Sequence, residues 1–320
     1  MSYAEELKAQ LDIPVIASPL FIISNPALVA AQCKNGIVGS FPALNARPAE
    51  LLDEWLAQLT TELAEYRAAN PDKKVAPFAV NQIVHQSNDR LQHDLDMCAK
   101  YEVPLMITSL RAPHAAVEVA HSYGGKVFHD VISVRHAEKA IEAGVDGLIL
   151  VCSGAGGHAG TLSNFALVSE VRKFYDGPIA LSGSISQGKQ ILAAEAMGAD
   201  FAYIGTRFIA THEANADEAY KQMLVDSTAG DIVYSNLFTG VHGNYLRGSI
   251  EKSGLDPNNL PEGDKSTMKF GSGGSSKSKA WRDIWGAGQG VGNIEQVQST
   301  AEVVAELKAD YLAARSRICG

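Results

Sequence analysis

The sequence has few cysteines, and they are not spaced as in a metal site or a disulfide framework. Its 320 residues include four, at positions 33, 98, 152 and 319, with no Cys-x-x-Cys pair. The nine histidines also lack the close spacing to carboxylates or thiols that metal ligands show. We therefore expect buried, reduced thiols and no bound metal.

The sequence also lacks a membrane-spanning run and an excess of positive charge. No apolar run reaches the roughly 18 residues that span a bilayer, and Met1 to Gln10 is too polar for a signal peptide. Lysine and arginine number 27 against 36 aspartates and glutamates, a net charge of −9, which excludes a generally basic surface for nucleic acid. We expect a cytoplasmic protein that acts on a small molecule, without nucleic-acid or membrane partners.

Eight short apolar runs are present along the chain, and each is followed by a helical pattern. They begin at Pro14, Gly36, Pro77, Pro104, Lys126, Gly147, Pro178 and Phe201. Because nearly every position in them is apolar, they are typical of parallel strands buried on both faces. Eight strand–helix units predict an α/β fold of the (β/α)8 TIM barrel type. The alternative is a doubly wound open sheet, which the lack of GxGxxG after the first run weakens.

The pattern changes towards the C-terminus, and we divide the chain at residue 228. Residues 1–228 are predicted to form the barrel, and residues 229–320 a lid-like excursion over the active-site face with closing helices packed on the barrel. A Gly/Ser/Lys stretch at 270–281 has the composition of a mobile loop. The nearby cations could bind a dinucleotide phosphate or form a solvated basic loop; they are Lys265, Lys269, Lys277, Lys279 and Arg282.

Glycines and hydroxyls follow the seventh and eighth runs, at the strand ends where TIM barrels often hold phosphate. The seventh run ends in Ser182-Gly183-Ser184 and the eighth in Gly205-Thr206. Glycine lets backbone N–H groups approach an anion, and the helix that begins near Gln187 directs its positive end to the same place. The sequence therefore predicts a phosphate site, unless these glycines only form turns.

A glycine-rich loop at 152–163, CSGAGGHAGTLS, follows the sixth run and contains a single histidine, His158. Small residues let a flat ligand approach, and His158 would then act beside it as a base or hydrogen-bond donor. The alternative is that the loop cradles the ligand and His158 only hydrogen-bonds to it.

Several segments together resemble the nitronate monooxygenase family, formerly called 2-nitropropane dioxygenases. They are VRHAEKAIEAGVDGLIL (134–150), the GxGGHxG loop (154–160), SGSISQGKQILAAEAMGA (182–199), GADFAYIGTRFIAT (198–211) and WGAGQGVG (285–292). The family also includes flavin-dependent NADH:quinone reductases and a class of enoyl-thioester reductases. The resemblance covers roughly residues 13 to 211 together with the late segment.

The resemblance implies an FMN-dependent oxidoreductase with His158 as its active-site histidine, next to the substrate and the flavin ring. Gly183, Ser184, Gly205 and Thr206 match the backbone that binds the FMN phosphate. The full set of positions that we expect to bind the cofactor is Ala17, Ser18, Pro19, Asn81, Asp130, Gly156, Gly157, Ser182, Gly183, Ser184, Gly205, Thr206, Gln289 and Gly290.

Two positions depart from the family pattern. The segment ASPLFIIS at 17–24 stands where many members read QGGM or QAPM, although its backbone can still contact the flavin. Asp130 follows the fifth run, where some members carry a lysine, and a carboxylate cannot stabilise an anionic flavin as lysine would. We expect Asp130 to bind a ribityl hydroxyl or to orient a cation such as Arg135; the alternative is that it caps a loop.

The leading function implied by the resemblance is oxidation of alkyl nitronates with O2. The nitronate would give an electron to FMN, and oxygen would react with the resulting radical pair, while His158 hydrogen-bonds the nitro group or deprotonates a neutral nitroalkane. The alternative on the same barrel is an NAD(P)H:quinone reductase or an enoyl-thioester reductase, with NAD(P)H as a partner. A third hypothesis is a flavin-free barrel that binds a phosphate ligand, such as an isomerase or aldolase. The sequence leaves a homodimer open.

Overall fold

Eight parallel strands, one from each apolar run, form the barrel of this protein. The computed structural model describes residues 2–263 and 284–319. In chain order the strands are β1 (Val15–Ala17), β2 (Gly39–Pro42), β3 (Phe78–Val84), β4 (Leu105–Leu110), β5 (Lys126–Val131), β6 (Gly147–Val151), the separate β7 (Gly157–His158), β8 (Ile179–Ser182) and β9 (Phe201–Ile204). Around the barrel they follow the order β1-β9-β8-β6-β5-β4-β3-β2, and a parallel bridge between Ile16 and Val38 closes the ring. The TIM barrel prediction is therefore confirmed.

Helices alternate with the strands and cover the outside of the barrel. Local sequence sets their starts: Asn25 caps the second helix with Pro26 at its first position, and the Ser133 hydroxyl accepts from the backbone of His136. The helices are α1 (Tyr3–Ala9), α2 (Pro26–Lys34), α3 (Leu51–Ala69), α4 (Leu91–Lys100), α5 (His114–Ser122), α6 (Val134–Glu142), α7 (Asn164–Val171), α8 (Gly188–Ala196), α9 (Thr206–Ile209), α10 (Glu218–Val225), α11 (Arg247–Lys252) and α12 (Thr300–Cys319). Within the described ranges, every helix is too short or too polar to pass through a bilayer.

The predicted closing helix is α12. Its Val303, Val304 and Leu307 pack in one apolar cluster with Ile191 of α8 and Val15 of β1. This helix therefore completes the outer layer beside the first strand.

The inside of the barrel is apolar in its middle and polar at the carboxyl ends of the strands. Successive side chains of a strand point to opposite faces, so residues two apart share a face. Ile107, Phe128 and Phe201 lie in the inner cluster and are fully buried. Two residues further along the same strands come Ser109, Asp130 and Tyr203, which therefore project inward at the open end.

The excursion contains strands that its sequence did not predict. Strands β10 (Ile232–Ser235) and β11 (Gly243–Leu246) pair antiparallel, and β11 also pairs with β7. We call these three strands the cap sheet. It lies over the barrel mouth, where Thr239 and Trp285 line the cavity described below. Residues 264–283, which include all five predicted phosphate-binding cations, lie outside the described residues.

A buried ion pair supports the loop between β2 and α3. Arg90 donates to Asp94 at 2.9 Å, and its guanidinium also donates to the carbonyl oxygens of Ala46 at 2.6 Å and Ala43 at 3.3 Å. The Arg90 and Asp94 side chains are 7% and 0% exposed. The loop that they hold supplies Arg47 to the cavity wall.

We expect Asp94→Ala to lower the free energy of unfolding by about 3 kcal/mol or more, because it leaves a buried guanidinium without its countercharge. Urea denaturation measures this loss. The control is Asp53→Ala, which removes a pair with Lys100 whose side chains are 43% and 52% exposed. That change should cost much less, because water screens an exposed pair. Equal losses would show that burial does not set the strength of the inner pair.

Candidate active site

A cavity of about 590 Å³ opens at the carboxyl ends of the barrel strands, where TIM barrels bind their ligands. Thirteen of the residues singled out from the sequence line it: Ser18, Pro19, Asn81, Asp130, Gly156, Gly157, His158, Ser182, Gly183, Ser184, Gly205, Thr206 and Gly290. The two others do not. Ala17 lies within β1 below the cavity, fully buried, and Gln289 is exposed.

Two loops meet backbone to backbone on one side of the cavity, and we call them the glycine cradle (residues 153–157 and 183–184). Gly154 and Gly183 have φ angles of +81° and +127°, which side chains other than glycine rarely adopt. A Cβ atom on Gly154 would overlap Ser184 Oγ, and one on Gly183 would lie 2.6 Å from the Ser153 carbonyl oxygen. Only glycine therefore allows these loops to approach so closely.

The segment that returns from the excursion packs against the glycine cradle. The backbone N–H of Gln289 donates to the Gly154 carbonyl at 2.9 Å, and that of Gly288 donates to Thr206 Oγ1 at 2.9 Å. A Cβ on Gly156 would lie 2.8 Å from Gly288 N. Gln289 thus acts here through its backbone.

The start of α8 is already bonded within the protein. Ser186 and Gln187 donate their backbone N–H groups to the Gln190 side chain at 2.8 and 3.0 Å, and Lys189 donates its own to Asp310 of α12 at 2.9 Å. The expected contribution of this helix end to an anion site is therefore restricted to its dipole, and direct donors must come from the glycine cradle and from Gly205 and Thr206.

A chain of hydrogen bonds crosses the floor of the cavity from β3 to β5. Asn81 Nδ2 donates to the Ile107 carbonyl at 3.2 Å and to Ser109 Oγ at 3.0 Å. Ser109 Oγ lies 2.6 Å from Asp130 Oδ2. We call Asn81, Ser109 and Asp130 the polar floor. Burial raises the pKa of Asp130 to about 7.

From the sequence we expect that Asp130 could orient a cation such as Arg135, but these two residues do not pair. Arg135 is exposed, and no ion pair joins it to Asp130 within the described chain. The reason is the alternation along β5, which points Asp130 into the barrel, whereas Arg135 lies on the outer helix α6.

His158 is held by the cap sheet. It pairs with Gly243 across β7 and β11, and its Nε2 lies 3.0 Å from Thr239 Oγ1. Burial lowers the pKa of His158 to about 4, so the imidazole is neutral at pH 7. A neutral imidazole offers one N–H donor and one lone pair.

Part of the cavity wall is apolar and comes from the loops after β1 and β2 and from the excursion. It includes Leu20, Phe21, Ile22, Leu44, Phe238 and Trp285. Trp285 stacks on Tyr220 with ring centres 4.9 Å apart. This wall suits the hydrocarbon part of a substrate and reduces access of water.

Three residues of the site were not predicted from the sequence. Ser109 and Tyr203 are the next-to-last residues of β4 and β9, so the rule that ligands sit at strand ends could have found both. Thr239 lies in a segment without periodicity and meets His158 only through the folded cap sheet. No sequence signal marks it.

The comparisons with known proteins agree with this architecture. The sequence profile of the nitronate monooxygenase family matches residues 5–310. A nitronate monooxygenase of Paraburkholderia phytofirmans is 26% identical over 291 residues, with 77% of each chain covered. A putative monooxygenase of Mycobacterium tuberculosis is 28% identical over 243 residues, which are 72% of this chain but only 64% of that protein.

A solved structure shares the fold. The nitroalkane oxidase of Streptomyces ansochromogenes superposes with a TM-score of 0.79 at 20% identity, covering 98% of this chain and 99% of that one. At this identity the likeness concerns the fold alone. With the family profile spanning nearly the whole chain, this protein belongs to the nitronate monooxygenase family and is an oxidoreductase.

Proposed function

We propose that this protein binds FMN in the barrel cavity and oxidises alkyl nitronates with O2. The observation that carries the proposal is a neutral His158 in the same cavity as the glycine cradle and the polar floor. Family membership supports the same activity.

The residues of the cavity fit FMN. The glycine cradle brings backbone and the Ser184 hydroxyl to one place, as a phosphate requires, and Gly205 and Thr206 lie on the neighbouring strand end. The polar floor offers hydrogen-bonding groups to the polar parts of the ring or ribityl chain. When bound, FMN would supply the electron acceptor that this chain's own side chains lack.

His158 fits a substrate that is already an anion. Its pKa of about 4 makes the imidazole a poor base for a neutral nitroalkane, because a general base works best with a pKa near the working pH. A nitronate needs no deprotonation. Its negative charge beside His158 would raise the imidazole pKa and strengthen a hydrogen bond to the nitro oxygens.

The apolar wall would hold the alkyl part of the nitronate. Leu20, Phe21 and Ile22 come from the loop after β1, and Phe238 and Trp285 come from the excursion. Because the two groups lie on separate segments, the alkyl chain would be enclosed between barrel and excursion, and water would be excluded from the reacting atoms.

The test is to purify the protein, identify its flavin, and mix it anaerobically with an alkyl nitronate, the neutral nitroalkane or NADPH. We expect the visible flavin band to bleach with the nitronate, and faster than with the neutral nitroalkane. A flavin that bleaches only with NADPH would reject the nitronate proposal. A colourless protein that does not take up added FMN would reject the cofactor.

The apolar wall favours a second candidate, an NAD(P)H-dependent reductase of a quinone or an enoyl thioester. Its side chains come from the loops after β1 and β2 and from the excursion, and they suit a substrate with more hydrocarbon than a small nitroalkane. Rapid bleaching by NADPH, followed by reoxidation with a quinone or an enoyl thioester, would support this candidate.

A further inference from the structure

Asp130 is an acid without a charged partner. Its Oδ2 atom lies 2.6 Å from Ser109 Oγ, while its Oδ1 atom is buried with no hydrogen-bond partner among the described residues. No cation of the described chain forms an ion pair with it. An ionised carboxylate would leave one buried oxygen charged and without a donor, which costs more than protonation.

The titratable groups around Asp130 do not supply that countercharge. Strands β4 and β6, on either side of β5, carry no titratable side chain. Across the barrel is Tyr203, whose pKa burial raises well above its ordinary value, with the charge of Asp130 as a further cause. On the other face of β5, His129 bonds with Thr108, and burial lowers the His129 pKa to about 4. Helix α6 places His136 and Lys139 on the cavity wall, but neither forms an ion pair with Asp130 in the described part of the chain.

The protons of the polar floor can be counted. Both amide protons of Asn81 are used, one on the Ile107 carbonyl and one on Ser109 Oγ. If Asp130 is ionised, Ser109 has the only other proton and donates it to the carboxylate. If Asp130 is neutral, the Ser109–Asp130 pair has two protons and its internal bond uses one. Only the neutral acid therefore leaves a proton for a ligand in the cavity.

We propose that Asp130 is a neutral carboxylic acid in the working protein, and that the Ser109–Asp130 pair donates a hydrogen bond to an acceptor atom of bound FMN. Asn81 is then a positioning residue. Its amide donates to Ser109 Oγ, so the hydroxyl proton of Ser109 must point away from Asn81. The inference rests on the proposed function in that FMN is the ligand.

The sign of the pH dependence follows from this proton. Ionisation removes the donated proton and sets a negative charge against an acceptor atom, so the affinity for FMN should fall as pH rises through about 7. The contribution of Asp130 to the free energy of unfolding also falls as pH rises. Between the ordinary pKa of aspartate, about 3.9, and 7, the folded chain holds a proton that the unfolded chain releases, so this group's contribution to stability declines as pH rises.

The test compares the dissociation constant of FMN at pH 6 and pH 8.5, by flavin fluorescence, in the full-length wild type and Asp130→Asn. The FMN phosphate also titrates, near pH 6, but equally for both proteins. The measured quantity is the ratio of the dissociation constant at the higher pH to that at the lower pH. This ratio should be about 30-fold larger in the wild type than in Asp130→Asn, because binding in the wild type requires an acid with a pKa of about 7 to be protonated. The amide introduced by Asp130→Asn is neutral at every pH, so that variant should show only the effect of the phosphate. Equal ratios would overturn the inference.

A second readout does not depend on FMN. In pH-difference infrared spectra, the wild type should show a protonated carboxylic C=O band that disappears above about pH 7. Asp130→Asn should lack the band, and Asp256→Asn, at an exposed position, should keep it. In Ser109→Ala the band should persist to higher pH, because the Ser109 hydrogen bond lowers the pKa of Asp130. Absence of the band at pH 6 would overturn the inference, whereas a band without FMN binding would instead reject the proposed function.

Discussion

Replacing His158 with asparagine is expected to lower kcat/KM for an alkyl nitronate about 100-fold while FMN remains bound. A positioned side chain that moves or shares a proton with the reacting group typically contributes roughly 10² to 10⁴. Asparagine keeps an amide donor but loses the imidazole that can gain a proton when the anion binds. FMN should be retained because the replacement changes no residue of the glycine cradle or the polar floor. Steady-state oxidation and the flavin content of the purified variant measure the two effects.

The matched control is His242→Asn, in the loop next to β11. His242 stacks on Tyr234 with ring centres 5.0 Å apart and does not line the cavity, so its replacement should leave turnover within about twofold. Thr239→Val keeps the imidazole but removes its partner at 3.0 Å, and we expect about a tenfold loss, as for one hydrogen bond. Unchanged turnover in His158→Asn would exclude a catalytic role for this residue.

Protonation of two histidines should lower the stability of the protein over a defined range of pH. The pKa values of His129 and His158 are both lowered to about 4 from the ordinary 6.5. Between these limits the unfolded chain binds protons that the folded chain does not, so stability falls as pH drops from 6.5 towards 4. Asp130 contributes a slope of the opposite sign between about 3.9 and about 7, so Asp130→Asn should make this loss steeper, and above pH 6.5 the two histidines contribute no slope. Urea denaturation across this pH range measures both effects.

The barrel and most of its cavity could be predicted because both depend on local patterns. A run such as Gly147–Val151 is apolar at nearly every position, which is typical of a strand buried on both faces. Once eight such strands are counted, the residues at their ends, such as Gly183 and Gly205, must meet at one opening. The strand ends therefore located the cavity, although other segments complete its wall.

The cap sheet and the protonation of Asp130 depend on tertiary contacts that no local pattern encodes. Strand β7 has two residues and exists only because β11 pairs with it. Thr239 reaches His158 across 81 positions of sequence. The raised pKa of Asp130 results from burial, so the same residue would be an ordinary carboxylate on the surface.

Gly154→Ala is expected to lower the affinity for FMN about 100-fold. The added Cβ would overlap Ser184 Oγ and lie 2.9 Å from Gln289 Oε1, so the Ser184 hydroxyl must leave its place in the glycine cradle. Loss of one hydrogen bond to a charged phosphate costs roughly 1.5–3 kcal/mol, or about 10- to 100-fold in affinity. The φ angle of +81° adds strain of about 1–2 kcal/mol for any side chain.

The effect of backbone strain can be separated from the effect of displacing the neighbouring atoms. The chain offers another glycine with a similar φ angle, and a Cβ atom on it would have no neighbours. Gly124 has a φ of +87°, and a Cβ there would meet nothing within 4 Å. In urea denaturation, Gly124→Ala should therefore lose about as much stability as backbone strain removes in Gly154→Ala. In a fluorescence titration, Gly124→Ala should bind FMN like the wild type. If both variants lost affinity equally, backbone strain alone would account for the effect. If neither did, the phosphate would have to bind away from the glycine cradle.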